Sequence, residues 1–76
     1  MKAKEIHEKA LRCVKEAREM MGVGWKHIGV ELRLAIAHSR VLMMVVGQVE
    51  AVPDASVRWL AKDLTREVTW LIEEEQ

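Results

Sequence analysis

The residues best suited to metal binding or acid–base chemistry are two histidines and a glutamate near the middle of the chain. His27 and Glu31 are four positions apart, a spacing that places both side chains on one face of a helix and can chelate a metal. His38 lies two turns further on, roughly 10 Å away by helical rise, which is too far to complete the same site. No HExxH motif or pair of cysteines accompanies them. We therefore expect a polar strip, with no metal and no cofactor.

Cys13 is the only cysteine, so the chain cannot form an internal disulfide. It falls among apolar positions in the middle of a helical pattern, where nothing nearby would lower the pKa of a thiol. We expect a buried side chain that acts as a small hydrophobe, and no catalytic nucleophile. A lone cysteine and an N-terminus without an apolar run favour a cytoplasmic protein.

Lys26, Arg33 and Arg40 recur at every seventh position, so on a helix they share one face and could follow the phosphates of a nucleic acid. The net charge of the chain is zero, however, which argues against a protein built to hold nucleic acid. The zero conceals an asymmetry, because residues 1–40 carry nine basic and five acidic residues, whereas residues 41–76 carry three and seven. This polarity favours attraction between the two halves, within one fold or between copies.

Trp59 and Trp70 are the clearest indication of function. They are eleven residues apart and align within about 20° on a helix. They fall outside the apolar stripe of their own segment, which consists of Val57, Leu60, Ala61, Leu64, Val68, Leu71 and Ile72. Two large indoles on a charged helix face are typical of a surface that another protein covers. We predict a partner-binding face formed by Trp59, Asp63, Arg66 and Trp70.

Two breaks divide the chain into the elements that must position these residues. Gly22-Val23-Gly24 is typical of a helix end, and Val52-Pro53-Asp54 ends one helix and caps the next. We predict a single all-α domain over residues 1–76, with helices at about 2–21, 25–51 and 54–74. Short connections favour antiparallel neighbours, so the fold is a three-helix bundle dominated by a long antiparallel hairpin.

The first helix carries alanine at every seventh position of its apolar stripe. The stripe consists of Ala3, Ile6, Ala10, Cys13, Ala17 and Met20. Small residues that repeat in this way allow a neighbouring helix to approach closely. We therefore expect Ala10 and Ala17 to tolerate no enlargement.

The second helix carries two apolar seams on nearly opposite sides. The first consists of Ile28, Leu32, Ala35, Ser39, Leu42, Val46 and Val49. The second consists of Val30, Leu34, Ala37, Val41, Val45, Gln48 and Val52. One short chain has difficulty enclosing both, so we predict a homodimer. We assign its interface to the residues Val30, Leu34, Ala37, Val41, Val45 and Gln48.

These features indicate a small non-enzymatic module that binds another protein, as an adaptor, regulator or inhibitor, and acts as a helical dimer. Proteins of this kind are common among phage and bacterial accessory proteins, which is an analogy only. The alternative is a dimeric nucleic-acid-binding regulator that uses the Lys26/Arg33/Arg40 strip. A third hypothesis is an enzyme in which His27 and Glu31 meet a second copy at a metal. The longest apolar run, Val41–Gly47, is too short to span a membrane.

Overall fold

The computed structural model describes residues 3–48 and 54–75, and within them the predicted all-α fold of three packed helices is confirmed. Helix α1 spans Ala3–Met21, α2 spans Val30–Val46 and α3 spans Asp54–Glu74. A short 3₁₀ helix, Gly22–His27, connects α1 to α2. Each α-helix contacts the other two.

Two ion pairs define the relative direction of α1 and α3. His7 of α1 contacts Glu67 of α3, and Arg18 of α1 contacts Glu75, which directly follows α3, so residue numbers increase together and these two helices run parallel. Arg40 of α2 contacts Glu16 of α1. The short connection from α1 to α2 reverses the direction of the chain, and α3 runs parallel to α1, so the topology is up–down–up.

Helix α1 turns its alanine stripe inward. Ala10, Cys13 and Ala17 are completely buried, and Ile6 and Val14 extend the same face. The two residues at the ends of the predicted stripe, Ala3 and Met20, are exposed and not buried as predicted. Met21 instead packs against the core at the end of the helix.

The second helix begins later than the sequence pattern predicted. Gly22 adopts a φ of 55°, a conformation that favours glycine, and ends α1. Trp25, predicted to start helix two, lies in the 3₁₀ helix and is buried. Ile28 and Gly29 are extended, so α2 starts at Val30. At the other end, α2 stops at Val46, whereas the predicted helical residues 49–51 and the start at residue 2 lie outside the described residues.

The seam of α2 that we assigned to a dimer interface faces the interior of a single chain, so this assignment is corrected. Ala37, Val41 and Val45 are buried between α1 and α3, and Val30 and Leu34 pack against that core. A second copy cannot contact side chains that the folded chain already encloses. Gln48, at the end of the seam, is half-buried, and Val52 lies outside the described residues.

Helix α3 supplies the largest fully buried side chains. Leu64, Val68 and Ile72 have no exposed surface, and Leu60 is almost as well buried. These residues follow the predicted 3–4 spacing, and Val57, Ala61 and Leu71 pack beside them. The buried face of α3 therefore fixes which of its side chains point outward.

Candidate partner-binding face

Trp59 and Trp70 both point outward from α3. Trp59 is 63% exposed and Trp70 is 52% exposed, so neither indole contributes its full area to the core. Their separation along the helix axis is about 16 Å. Arg66, which is exposed, and Asp63, which is half-buried, lie between them on the same side. The structure thus brings together the four residues predicted to bind a partner. We call this set, Trp59, Asp63, Arg66 and Trp70, the tryptophan face.

A basic side chain lies against one of the two indoles. The Lys62 ammonium is 5.5 Å from the centre of the Trp59 ring, within the range of a cation–π contact. Such a contact at an exposed site contributes about 0.5–1 kcal/mol and restricts the orientation of the ring. One surface of Trp59 is thereby occupied, and the remainder faces solvent.

The tryptophan face continues into a groove between α1 and α3. One depression of about 400 Å³ is lined by His7, Arg66, Glu67 and Trp70. A second, of about 320 Å³, shares Arg66 and Glu67 and reaches the start of α1 at Ala3 and Ile6. Both are shallow and open, which suits a segment of protein better than an enclosed small molecule.

His7 and Glu67 join the two walls of this groove. His7 Nδ1 lies 3.0 Å from Glu67 Oε2, and both side chains remain partly exposed. The sequence alone did not reveal these two residues as part of the face, because each belongs to a different helix. Only the parallel register of α1 and α3 brings them beside Trp70.

Trp25, the third tryptophan, has a different environment. Its side chain is buried, and its carbonyl accepts a hydrogen bond of 3.0 Å from Arg33 Nε–H. The Arg33 guanidinium also lies 5.4 Å from the centre of the Trp25 ring. Trp25 therefore fixes the 3₁₀ helix against the core and is not available to a partner.

Two residues of the predicted basic strip, Lys26, Arg33 and Arg40, make contacts within the bundle. Arg33 contacts Trp25, and Arg40 Nε–H donates to Glu16 Oε1 over 3.4 Å. Lys26, in the 3₁₀ helix, is exposed. Two of the three cations that could follow phosphates are thus already engaged within the bundle.

The histidine–glutamate strip is also divided by the late start of α2. His27 lies in the 3₁₀ helix, so it and Glu31 do not share one continuous α-helix. His38 Nε2 lies 2.9 Å from Thr69 Oγ1. The Thr69 hydroxyl donates its only hydrogen to the Thr65 carbonyl, so His38 Nε2–H is the donor in its hydrogen bond with Thr69. Within residues 3–48 and 54–75, no group of three potential ligands is placed to hold a metal ion.

Burial lowers the pKa of His38, which makes the stability of the protein depend on pH. The unfolded chain binds a proton at its ordinary pKa of about 6.5, whereas the folded chain binds it only at lower pH. The free energy of unfolding should therefore fall as the pH drops from 7 to 5, and His38→Gln should reduce this fall. Urea denaturation at both pH values measures it. His27→Gln, a substitution at an exposed histidine, should retain the wild-type difference in the free energy of unfolding between pH 7 and pH 5. If both variants show the same difference, His38 is not the source of the pH dependence.

Cys13 has the environment expected from the sequence. It is completely buried on the inner face of α1. Burial raises the pKa of its thiol, and the nearby Glu16 carboxylate raises it further. The thiol is therefore protonated at neutral pH, which makes it a poor nucleophile.

Fold and surface together define a three-helix bundle with an exposed aromatic face. Comparison with protein families, characterised proteins and solved structures finds no match to this chain. Among the described helices, none is both long enough and apolar enough to cross a membrane.

Proposed function

We propose that this protein is a small, non-enzymatic interaction module that binds another protein through the tryptophan face. The observation that carries the proposal is the pair of exposed indoles on one side of α3, beside the groove to α1. Exposed Trp residues surrounded by polar side chains are the usual anchors of protein interfaces. Such a module acts as an adaptor, regulator or inhibitor.

The spacing of the face suits an amphipathic helix of the partner. An axial separation of about 16 Å corresponds to three turns, so one docked helix can contact both indoles. Arg66 and Asp63 lie between the indoles and offer both signs of charge to its polar edge. We therefore infer that the partner presents apolar residues at helical spacing, flanked by charged residues.

We further propose that the module works in the cytoplasm as a homodimer. A reducing compartment suits a chain whose single cysteine is a free, buried thiol. The engagement of Cys13, His38, Arg33 and Arg40 within the bundle supports a binding role over catalysis or nucleic-acid binding.

Removal of both indoles should abolish partner capture without unfolding the protein. Truncation of one buried interfacial Trp costs about 2 kcal/mol or more, on the order of a thirtyfold loss of affinity. Capture from the native host with wild-type protein and with the Trp59→Ala/Trp70→Ala variant identifies the partner. Titration calorimetry with the purified partner then gives the ratio of dissociation constants.

A control variant, Met20→Ala/Val23→Ala, removes two other exposed apolar side chains and should retain the wild-type affinity. Circular dichroism and light scattering on the tryptophan variant separate the competing explanations. Lost helicity would mean that the indoles belong to the core, and a folded monomer would mean that they form the dimer interface. Unchanged capture by a folded dimer would refute the recognition role.

A further inference from the structure

The outward side of α2 is an apolar stripe without a charged residue. It consists of Leu32, Ala35, Ile36, Ser39, Leu42, Met43 and Val46. Ile36, at one edge of the stripe, is half-buried and also packs against the core. On a helical wheel these seven residues fall within roughly 120°. Leu42, Met43 and Val46 are each about 60% exposed, and Leu32 is half exposed. Side chains of this size, so exposed along one helix, are typical of a surface that is covered in the working protein.

This stripe lies on the seam of α2 opposite to the one that the bundle encloses. Val41 and Val45 point to the core, whereas Leu42 and Val46, one position further on, point away from it. The tryptophan face belongs to α3 and its groove with α1, so it is formed by different helices. A molecule that covers the stripe therefore leaves the tryptophan face open.

We infer that the stripe is the surface through which two copies of this chain pair, with their α2 helices antiparallel and Ser39 at the two-fold axis. The inference rests on the homodimer in the proposed function and is independent of docking at the tryptophan face. Two-fold dimers are the commonest soluble oligomers, and each uses one patch twice.

The spacing of the stripe satisfies the requirement for a two-fold contact. Apolar side chains lie three, four and seven positions from Ser39 in both directions, and those at three and seven positions are large on both sides. A two-fold axis at Ser39 that pairs antiparallel helices places Leu32 opposite Val46 of the partner subunit, and Ile36 opposite Leu42 of the partner subunit. Ala35 and Ser39 are small, so the helices can approach closely at the centre.

The polar groups nearest to the axis are already satisfied within each chain. Ser39 Oγ–H donates to the Ile36 carbonyl over 2.6 Å, so covering the hydroxyl leaves no orphan donor. At the two edges of the stripe, Arg40 pairs with Glu16 and His38 donates to Thr69. The two-fold axis places the Arg40 side of one helix next to the Arg40 side of the other. Because each Arg40 is paired with Glu16 of its own chain, the repulsion between the two Arg40 side chains is reduced.

The size of the stripe sets the expected strength of pairing. From Leu32 to Val46 the stripe is roughly 21 Å long and one helix wide, which lies at the low end of specific interfaces. We therefore expect reversible association at micromolar concentrations. Sedimentation equilibrium should show a mass that rises from 8.7 kDa towards twice that value with increasing concentration.

Leu42→Glu tests the surface, because it buries a carboxylate beside the axis. The variant should remain folded by circular dichroism, and its dimer dissociation constant should rise by more than about a hundredfold. Leu11→Glu is the matched control, since Leu11 is an exposed leucine on α1, and it should dimerise like the wild type. A wild-type protein that stays monomeric at millimolar concentration would refute the homodimer itself. A Leu42→Glu variant that dimerises normally would refute only the assignment to this stripe.

Cysteine substitution tests the orientation of the two helices. Ser39→Cys should form an intermolecular disulfide on mild oxidation, whereas Cys13 is buried and should not react. Leu32→Cys should not crosslink, because antiparallel pairing places its two copies roughly 21 Å apart along the axis. Crosslinking of both variants would indicate a parallel pair and overturn the antiparallel arrangement, and crosslinking of neither would overturn the contact at Ser39.

Discussion

Val41→Glu should unfold the protein. Val41 is 3% exposed and lies in the core that α2 shares with α1 and α3. A buried carboxylate without a partner costs several kcal/mol, comparable with the about 5–15 kcal/mol that stabilises a small domain. The far-UV circular dichroism signal of the helices should be lost or should melt far below the wild-type temperature.

Leu42→Glu provides the matched control for that experiment. The same charge is introduced one position further along α2, where the side chain is 63% exposed and points away from the bundle. Its helical signal should remain. If both variants melt together, the orientation of α2 described here is wrong.

Ala10→Leu should destabilise the protein by roughly 1–3 kcal/mol. Ala10 is completely buried on the inner face of α1, so the added carbon atoms must displace neighbouring side chains or the helix itself. Urea denaturation measures the change in the free energy of unfolding. Ala3→Leu, the same substitution at an exposed alanine of α1, should have little effect. An unchanged or higher melting temperature for Ala10→Leu would show that this part of the core is loosely packed.

The features that the sequence predicted well depend on the geometry of one helix at a time. The apolar period of α1 identified Ala10 and Ala17 as inward, and the period of α3 identified Trp59 and Trp70 as outward. A helical wheel is sufficient for such predictions, because the buried face of an amphipathic helix is its apolar side. Glycine also predicted the end of α1 correctly.

The choice between the two seams of α2 could not be made in this way. Both seams are apolar, so periodicity does not distinguish them. In the structure the seam with Ala37, Val41 and Val45 is enclosed, and the seam with the larger Leu42 remains outside. Small and β-branched side chains fit where three helices meet closely, and that requirement appears only when the neighbouring helices are known.

Contacts between helices were equally inaccessible from the sequence. The pairs His7–Glu67 and His38–Thr69 join residues that are far apart in the chain. Their partners depend on the register of the bundle, which a pattern within one helix does not define. The burial of Trp25 in a 3₁₀ helix was missed for a related reason, since Arg33 and the core hold it there.

The unequal burial of the three tryptophans gives the protein its own optical reporters. The chain contains no Tyr or Phe, so its near-ultraviolet absorption and emission come from indole alone. Trp25 emits from inside the core and is shielded from an aqueous quencher, whereas Trp59 and Trp70 are open to collisions with it. Iodide therefore divides the fluorescence into an accessible and a protected fraction. The protected fraction reports whether the 3₁₀ helix is packed against the core. The accessible fraction reports whether another molecule covers the exposed indoles of α3.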